Sequence, residues 1–273
     1  MTIDTHVHFW NYDPGRDSWM EGMDILQKNY LPENLLPTLA KPGIYGCVAV
    51  QAEQSEDETL FLKSLAETNS IIKAVVGWVD LVNENVEERL EYFSQFPIIK
   101  GFRHIAQAEP ETFLLQKNFI RGIKALAKYN YTYDVLVYHH QLKDVLKLIE
   151  QFPEQRFVID HCAKPDVKNK NIIRWTEQIQ EIARFPNVYC KVSGLFTETT
   201  FEQWKPEDFN PYLDVVFNAF GTDRLMFGSD WPVLLVSGTY LEWRSLVTNY
   251  MNNFSAHEKN AVFGLNAIKF YNL

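Results

Sequence analysis

The sequence predicts an α/β protein folded as a distorted (β/α)8 barrel, a single domain spanning residues 1–273. Three observations carry that prediction. The chain has 273 residues, and one parallel α/β barrel takes ~250. Eight short runs of apolar, β-branched residues recur along it, apolar on successive positions as suits parallel strands covered on both faces. Stretches with helical period separate them. An open doubly wound sheet is the competing architecture. No Gly-x-Gly-x-x-Gly follows any of the runs, which weakens a dinucleotide-binding reading.

Taken in order, strands are expected at residues 3–9, 45–51, 73–79, 98–104, 133–138, 156–161, 188–193 and 224–228. The first long connection, residues 11–39, carries Trp19, Met20, Met23, Tyr30 and three prolines. A connection of that length is either a binding loop or a structural excursion packed on the barrel. A helix over 55–69 opens with Ser55-Glu56-Asp57-Glu58, the form of a capping box. Helices over 85–96, 112–129, 141–152, 172–185, 209–220 and 241–254 continue the alternation. A last helix over 256–271 starts from a second Ser-x-x-Glu signal at Ser255 and Glu258.

Composition bounds the function classes. Hydrophobic residues make up 46% and charged residues 22%, ordinary for a globular protein with a sizeable core. The net charge of −9 argues against nucleic acid as the main partner, because a phosphate-binding surface needs a basic stripe and the sequence shows none. It leaves an anionic small substrate open, since a local Arg or Lys overrides the global sign. The N-terminus MTIDTHVHFW lacks the marks of an export signal, and no window is apolar enough for a membrane span. A cytoplasmic location is expected. Cys47, Cys162 and Cys190, an odd count in or beside apolar runs, read as small buried hydrophobes in a reducing compartment.

In a parallel barrel the reacting groups sit at the C-terminal ends of the strands. Strand one ends in His6-Val7-His8, and residues two apart on a strand share a face. Both imidazoles therefore project into the barrel mouth, where each could bind a metal or donate to a carbonyl oxygen. Two buried, hydrogen-bonded histidines would look the same. Strand four ends in Arg103-His104, strand six in Asp160-His161, and strand eight in Gly228-Ser229-Asp230-Trp231. Strand seven carries Lys191. Histidines after strands one and six with an aspartate after strand eight form a set that can meet at one point. Asp230 is the natural general base for water, and the histidines, or a metal they hold, would stabilise the oxyanion formed at a carbonyl. That is the chemistry of ester, lactone or amide hydrolysis.

The segments IDTHVHFW, QAE at Gln51 to Glu53, GWVDL, GFRH, DHCAKP, CKVSGL and GSDWPV, in this order, resemble the lactonase-like branch of the amidohydrolase superfamily. That branch includes L-fuconolactonase, L-rhamnonolactonase and 2-pyrone-4,6-dicarboxylate lactonase types. The resemblance runs from Ile3 to the terminal helix. It implies a barrel of the metallo-dependent-hydrolase type, with His6, His8, His161 and Asp230 as the catalytic core. It also implies that Arg103, His104, Lys191, Trp10, Trp78 and Gln51 shape the substrate pocket. Lys191 reads equally well as a paired core lysine, and Trp78 as a packing residue.

Departures from the pattern bear on the metal. Binuclear members use a carboxylated lysine or a glutamate at the end of strand four, where this chain has Arg103-His104. Lys100 falls deeper in the barrel, and His139 and His140 lie in a Tyr-His-His-Gln run that is already loop in character. Two metals are not expected. One zinc on His6, His8 and Asp230 is compatible with the set, but the branch also hydrolyses lactones without metal. No obligatory cofactor is therefore expected. The expected reaction is hydrolysis of a sugar-acid lactone, so the partner is a small lactone or sugar acid, with a homo-oligomer left open. The alternative is a zinc-dependent decarboxylase acting on an aromatic or unsaturated acid, with Arg103 on the carboxylate. A metal-dependent phosphodiesterase and a barrel that only binds a ligand rank below both.

Overall fold

The computed structural model describes residues 2–40 and 43–273. Each expected apolar run forms a strand: β1 (Thr2–Val7), β2 (Ile44–Val50), β3 (Ile72–Gly77), β4 (Ile99–His104), β5 (Thr132–Val135), β6 (Phe157–Ile159), β7 (Val188–Val192) and β8 (Leu225–Phe227). They pair in parallel in chain order as one eight-stranded sheet. The ring is joined at its upper rim, past the end of β8. There Asp230 N–H donates to the His6 carbonyl at 2.9 Å, and His8 N–H donates to the Trp231 carbonyl at 2.7 Å. The barrel, rather than the open sheet, is the observed architecture.

Helices follow the strands: α1 (Pro32–Leu39), α2 (Glu56–Thr68), α3 (Val86–Ser94), α4 (Lys117–Lys128), α5 (Leu142–Glu150), α6 (Ile173–Ile182), α7 (Asn210–Phe220) and α8 (Tyr240–Tyr250). The chain ends in α9 (Ala256–Asn260), a π turn over Ala261–Leu265 and α10 (Asn266–Tyr271). The box at Ser255 closes as expected: Ser255 Oγ accepts from Glu258 N–H at 3.3 Å, and Glu258 returns a bond at 2.7 Å. At Ser55 only half of it forms. Ser55 Oγ accepts from Glu58 N–H, but the Glu58 carboxylate turns away to accept from Ala52 and Glu53 N–H, both at 2.6 Å. The helix expected over 112–129 is broken, because Gln116 adopts an extended conformation and separates a short 3-10 turn from α4.

Residues 11–39 are a packed excursion with one arm over the barrel mouth. Trp10 and Tyr30 exchange backbone hydrogen bonds at 2.9 Å and so tie its base. Met20, Leu26 and Leu35 bury its inner face, and α1, which the sequence pattern did not announce, closes it. Trp19 remains 44% exposed at the mouth.

Alternation along the strands divides the barrel interior into two levels. Val48, Val50, Ala74, Val76, Val158 and Met226 form one apolar cluster, which Phe270 and Tyr271 of α10 join. Lys191 follows Tyr189 at even spacing on the same face of β7, while Asp160 comes directly after β6 and Asp230 three residues after β8. A bulge in β1 adjusts the phase. Asp4 pairs with Cys47 and Val7 with Ala49, so three steps on β1 match two on β2. Asp4 fixes this kink by accepting from His6 N–H at 3.1 Å and Ser229 N–H at 2.8 Å. Ile3 and His6 thereby both reach the interior despite their odd spacing.

Candidate active site

Asp230 is the point of convergence. Its Oδ1 lies 3.3 Å from His8 Nε2, 3.9 Å from His6 Nε2 and 3.9 Å from His161 Nε2. The His6 ring centroid is 4.9 Å from that of His8 and 4.3 Å from that of His161. All four expected catalytic residues are buried and meet at the C-terminal rim of the barrel. Two of them sit on left-handed backbone, His161 at φ 53 and Asp230 at φ 64. Such conformations are costly for residues with a Cβ and persist where the surroundings enforce them. The turn from His161 to Lys164 holds positive φ at all four residues, which swings His161 inward after only three residues of β6.

Each ring is held at named atoms. His8 Nδ1 lies 2.8 Å from the Val50 carbonyl, which only accepts, so Nδ1 carries a proton, and Nε2 faces Asp230. His6 Nε2 sits 3.1 Å from Arg103 Nη1, and its Nδ1 sits 3.2 Å from Lys191 Nζ and 3.4 Å from Asp160 Oδ1. Burial, with Lys191 and His161 adding to it, holds His6 well below the usual histidine range against the pull of Asp160. His161 Nδ1 meets Ser193 Oγ at 2.8 Å, and a hydroxyl can donate or accept. Burial lowers the His161 pKa to about 4. Asp230 is held below the usual carboxylate value: burial opposes this, but His161, His8 and Lys164 outweigh it. At neutral pH His6 and His161 are neutral and Asp230 is ionised.

A charge network supports this layer from below. Lys191 Nζ, fully buried, pairs with Asp134, lies 3.0 Å from Asp160 Oδ1 and lies 3.2 Å from His6 Nδ1. Arg103 Nη1 reaches Asp160 Oδ2 at 3.2 Å, and its Nη2 donates to the Gln51 carbonyl. Tyr271 OH, from α10 at the opposite end of the interior, donates to Asp134 at 3.0 Å. Asp134 and Asp160 were absent from the expected site. Charged residues inside the apolar runs TYDV and VYCKV were the available signal, since a buried charge requires a partner.

Above the histidines opens a cavity of about 360 Å3, lined by His8, Arg103, His161, Lys164 and Asp230 and by less polar groups including Trp19, Gln54 and Gln107. The other expected pocket residues lie elsewhere. Lys191 is beneath His6. Gln51 braces Arg103, its Nε2 donating to the Arg103 carbonyl at 3.1 Å. His104 binds Glu109 at 2.9 Å and stacks on Phe113, outside the cavity lining. Trp10 donates from its indole to the Lys28 carbonyl within the excursion. Trp78 is half-buried, with its backbone held by Thr59. His139 and His140 fall in a 3-10 turn at the rim, and Lys100 lies at the opposite mouth beside Arg156 and Tyr271. Trp19, Gln54, Lys164 and Gln107 were not singled out, because nothing local marks a loop residue as facing a cavity.

The donor set fits one divalent cation. Among the described residues one group of three ligands lies within 4.8 Å of one another, namely His6, His161 and Asp230. This trio takes in His161 where the sequence reading had His8. His8 stands beside it, its Nε2 3.3 Å from the Asp230 carboxylate. Arg103 on His6 Nε2 competes for the same lone pair.

A sequence profile of the amidohydrolase family matches residues 3–273. The chain belongs to the amidohydrolase family. It is 37% identical to L-fucono-1,5-lactonase of Burkholderia multivorans, covering 100% of this chain and 96% of that protein. It is 32% identical to L-fucono-1,5-lactonase of Burkholderia ambifaria, covering 99% and 95%. A crystal structure of an amidohydrolase from Burkholderia multivorans with bound zinc superposes with a TM-score of 0.96 at 37% identity, covering 100% of this chain and 99% of that one. Family and barrel fold thus agree with the sequence reading. Cys47, Cys162 and Cys190 are buried free thiols, and no helix among the described residues is long and apolar enough to cross a membrane.

Proposed function

We propose that this amidohydrolase opens a sugar-acid lactone by adding water to the ring carbonyl, with a 1,5-lactone of the L-fuconate type as its substrate class. The observation that carries the reading is the ionised Asp230 carboxylate at the cavity floor, with a nitrogen of each of three histidines within 3.9 Å. The full-length likeness to proteins named L-fucono-1,5-lactonase supports the choice of substrate.

Asp230 takes the proton of the attacking water. Its low pKa leaves it ionised, and its left-handed backbone sets the carboxylate in place. When the Ser193 hydroxyl donates to His161 Nδ1, the Nε2–H of His161 is free to bond the carbonyl oxygen. That bond strengthens as the oxygen becomes an oxyanion. Arg103, also on the cavity wall, adds a fixed positive charge nearby, and Asp160 holds it. The indole face of Trp19 suits the C–H face of a sugar ring, and Gln54 and Gln107 offer amides to its hydroxyls.

If the Ser193 hydroxyl accepts instead, His161 turns its lone pair inward and, with His8, His6 and Asp230, would hold one divalent cation. Such an ion would polarise the carbonyl and acidify water. Ser193 permits both tautomers, so the reading takes the metal as dispensable. Turnover on a panel of aldono-1,5- and 1,4-lactones, with Asp230→Asn as control, tests the proposal. We expect rapid hydrolysis of at least one lactone and a loss of at least ~10³-fold in the variant. Folded wild-type protein that accelerates no lactone over spontaneous opening refutes it.

A further inference from the structure

Lactone opening moves two protons, and the reading above assigns only one. Water gives its proton to Asp230, while the ring oxygen leaves as a strongly basic alkoxide that must also be protonated. The groups on the cavity wall can be taken in turn. Arg103 has one Nη on Asp160 and His6 and the other on Gln51, and a guanidinium does not release a proton at ordinary pH. Both ring nitrogens of His8 are engaged, Nδ1 by the Val50 carbonyl and Nε2 by Asp230, and a neutral His161 is needed at the carbonyl oxygen. Gln54 and Gln107 are not acids.

Resting on the lactonase reading, we propose that Lys164 is the catalytic acid of the ring-opening step and delivers its Nζ proton to the departing ring oxygen. The residue lines the cavity together with His161 and Asp230. The strained turn that places His161 places Lys164 too. Its N–H donates to the His161 carbonyl at 2.8 Å, and its own carbonyl accepts from His139 Nδ1 at 2.9 Å. Three successive left-handed residues lead into it, and Lys164 itself lies at φ 45. The ammonium is contained but uncommitted. Its side chain is 15% exposed, and the nearest carboxylate oxygen, Glu198 Oε1, is 3.9 Å away. Nζ lies 5.3 Å from the Tyr138 ring centroid, and it makes no hydrogen bond among the described residues. An ammonium held by charge and ring face keeps its protons available for a ligand.

The step balances. Water's O–H bond breaks, its proton goes to Asp230, and its oxygen bonds the carbonyl carbon. The ring C–O bond then breaks with its electron pair on the ring oxygen, which takes the Lys164 proton and becomes the hydroxyl of the hydroxy acid. Water refilling the cavity carries the Asp230 proton back to the Lys164 amine, and the product acid ionises to solvent.

Lys164→Ala, assayed on the lactone that wild type turns over fastest, tests the proposal through rescue by added cations. We expect kcat to fall ~100-fold with KM changed less than ~3-fold. Ethylammonium, which carries a transferable proton, should restore at least ~10-fold in proportion to its concentration. Tetramethylammonium, the same charge without a proton, should restore nothing. Rescue by both ions shows a purely electrostatic role and overturns the proposal. An undiminished variant, or a dead variant with native circular dichroism that neither ion restores, overturns it as well. In each of those cases the lactonase reading stands, because wild type turns over. Wild type inert on every lactone removes both.

Discussion

Replacing Lys191 by Met tests the buried charge network most directly. The side chains of Lys191, Asp134 and Asp160 are 0% exposed. Without the ammonium, Asp134 keeps only the Tyr271 hydroxyl at 3.0 Å, and its Oδ1 already lacks a partner. Asp160 keeps Arg103 and His6. Removing one partner of a buried pair costs about 3–5 kcal/mol, because the remaining charge stays in low dielectric. At roughly 2–4 °C per kcal/mol for a large domain, Tm should fall by ~6–20 °C at pH 7.5.

The deficit should also depend on pH in a definite direction. Burial raises Asp134 to about 6 even with Lys191 present. The folded state therefore holds a proton that the unfolded chain releases, and the group loses stability as pH rises from the unfolded value through the folded one. Removing Lys191 pushes the folded value higher still. Lowering the pH from 7.5 to 5.5 should then recover up to ~2.7 kcal/mol in the variant. Asp134→Leu added to Lys191→Met removes both charges and should be more stable than the single variant at pH 7.5. Thermal unfolding by circular dichroism reads all three proteins. A Tm within about 2 °C of wild type, or a deficit that does not shrink on acidification, would refute the network as described.

Three further outcomes are expected. With His161 at about 4 and Asp230 below 3.8, both stay in their working states above pH 5, so kcat/KM should fall only below about pH 5 on the acid side. A limb near pH 6.5 would show a different titrating group. Gly194 has φ 68, and a Cβ there would lie 2.5 Å from the His161 ring. Gly194→Ala should therefore displace His161 and cut kcat by at least ~100-fold, at a cost of about 1–3 kcal/mol; near-normal turnover would mean that the His161 position is not critical. Exhaustive chelation, verified by elemental analysis, should leave most lactonase activity. Loss restored by zinc alone would instead make the metal obligatory and reopen the decarboxylase alternative.

Much of this protein was legible in the chain. Eight apolar runs gave eight strands, since parallel strands buried on both faces leave a mark that is local and needs no partner to be read. His6, His8, His161 and Asp230 were legible because strand ends in a barrel share one rim, so position in the alternation already implies proximity. Pocket residues were less so. His104 directly follows Arg103, yet the strand turns them to opposite faces, one to Glu109 and the other to the cavity.

Only the tertiary structure decided the rest, and the reason is distance along the chain. Lys191 finds Asp134 across 57 residues, Arg103 finds Asp160 across 57, and Tyr271 reaches Asp134 across 137. No local pattern records which buried charge meets which. The phase shift at Asp4 and the left-handed turn from His161 to Lys164 depend likewise on contacts that packing supplies. The sequence by itself determined the fold and the convergence of His6, His8, His161 and Asp230 on one rim, because both follow from short-range periodicity and strand order. The pairing of buried charges and the residues that line the cavity arise only once the barrel has closed.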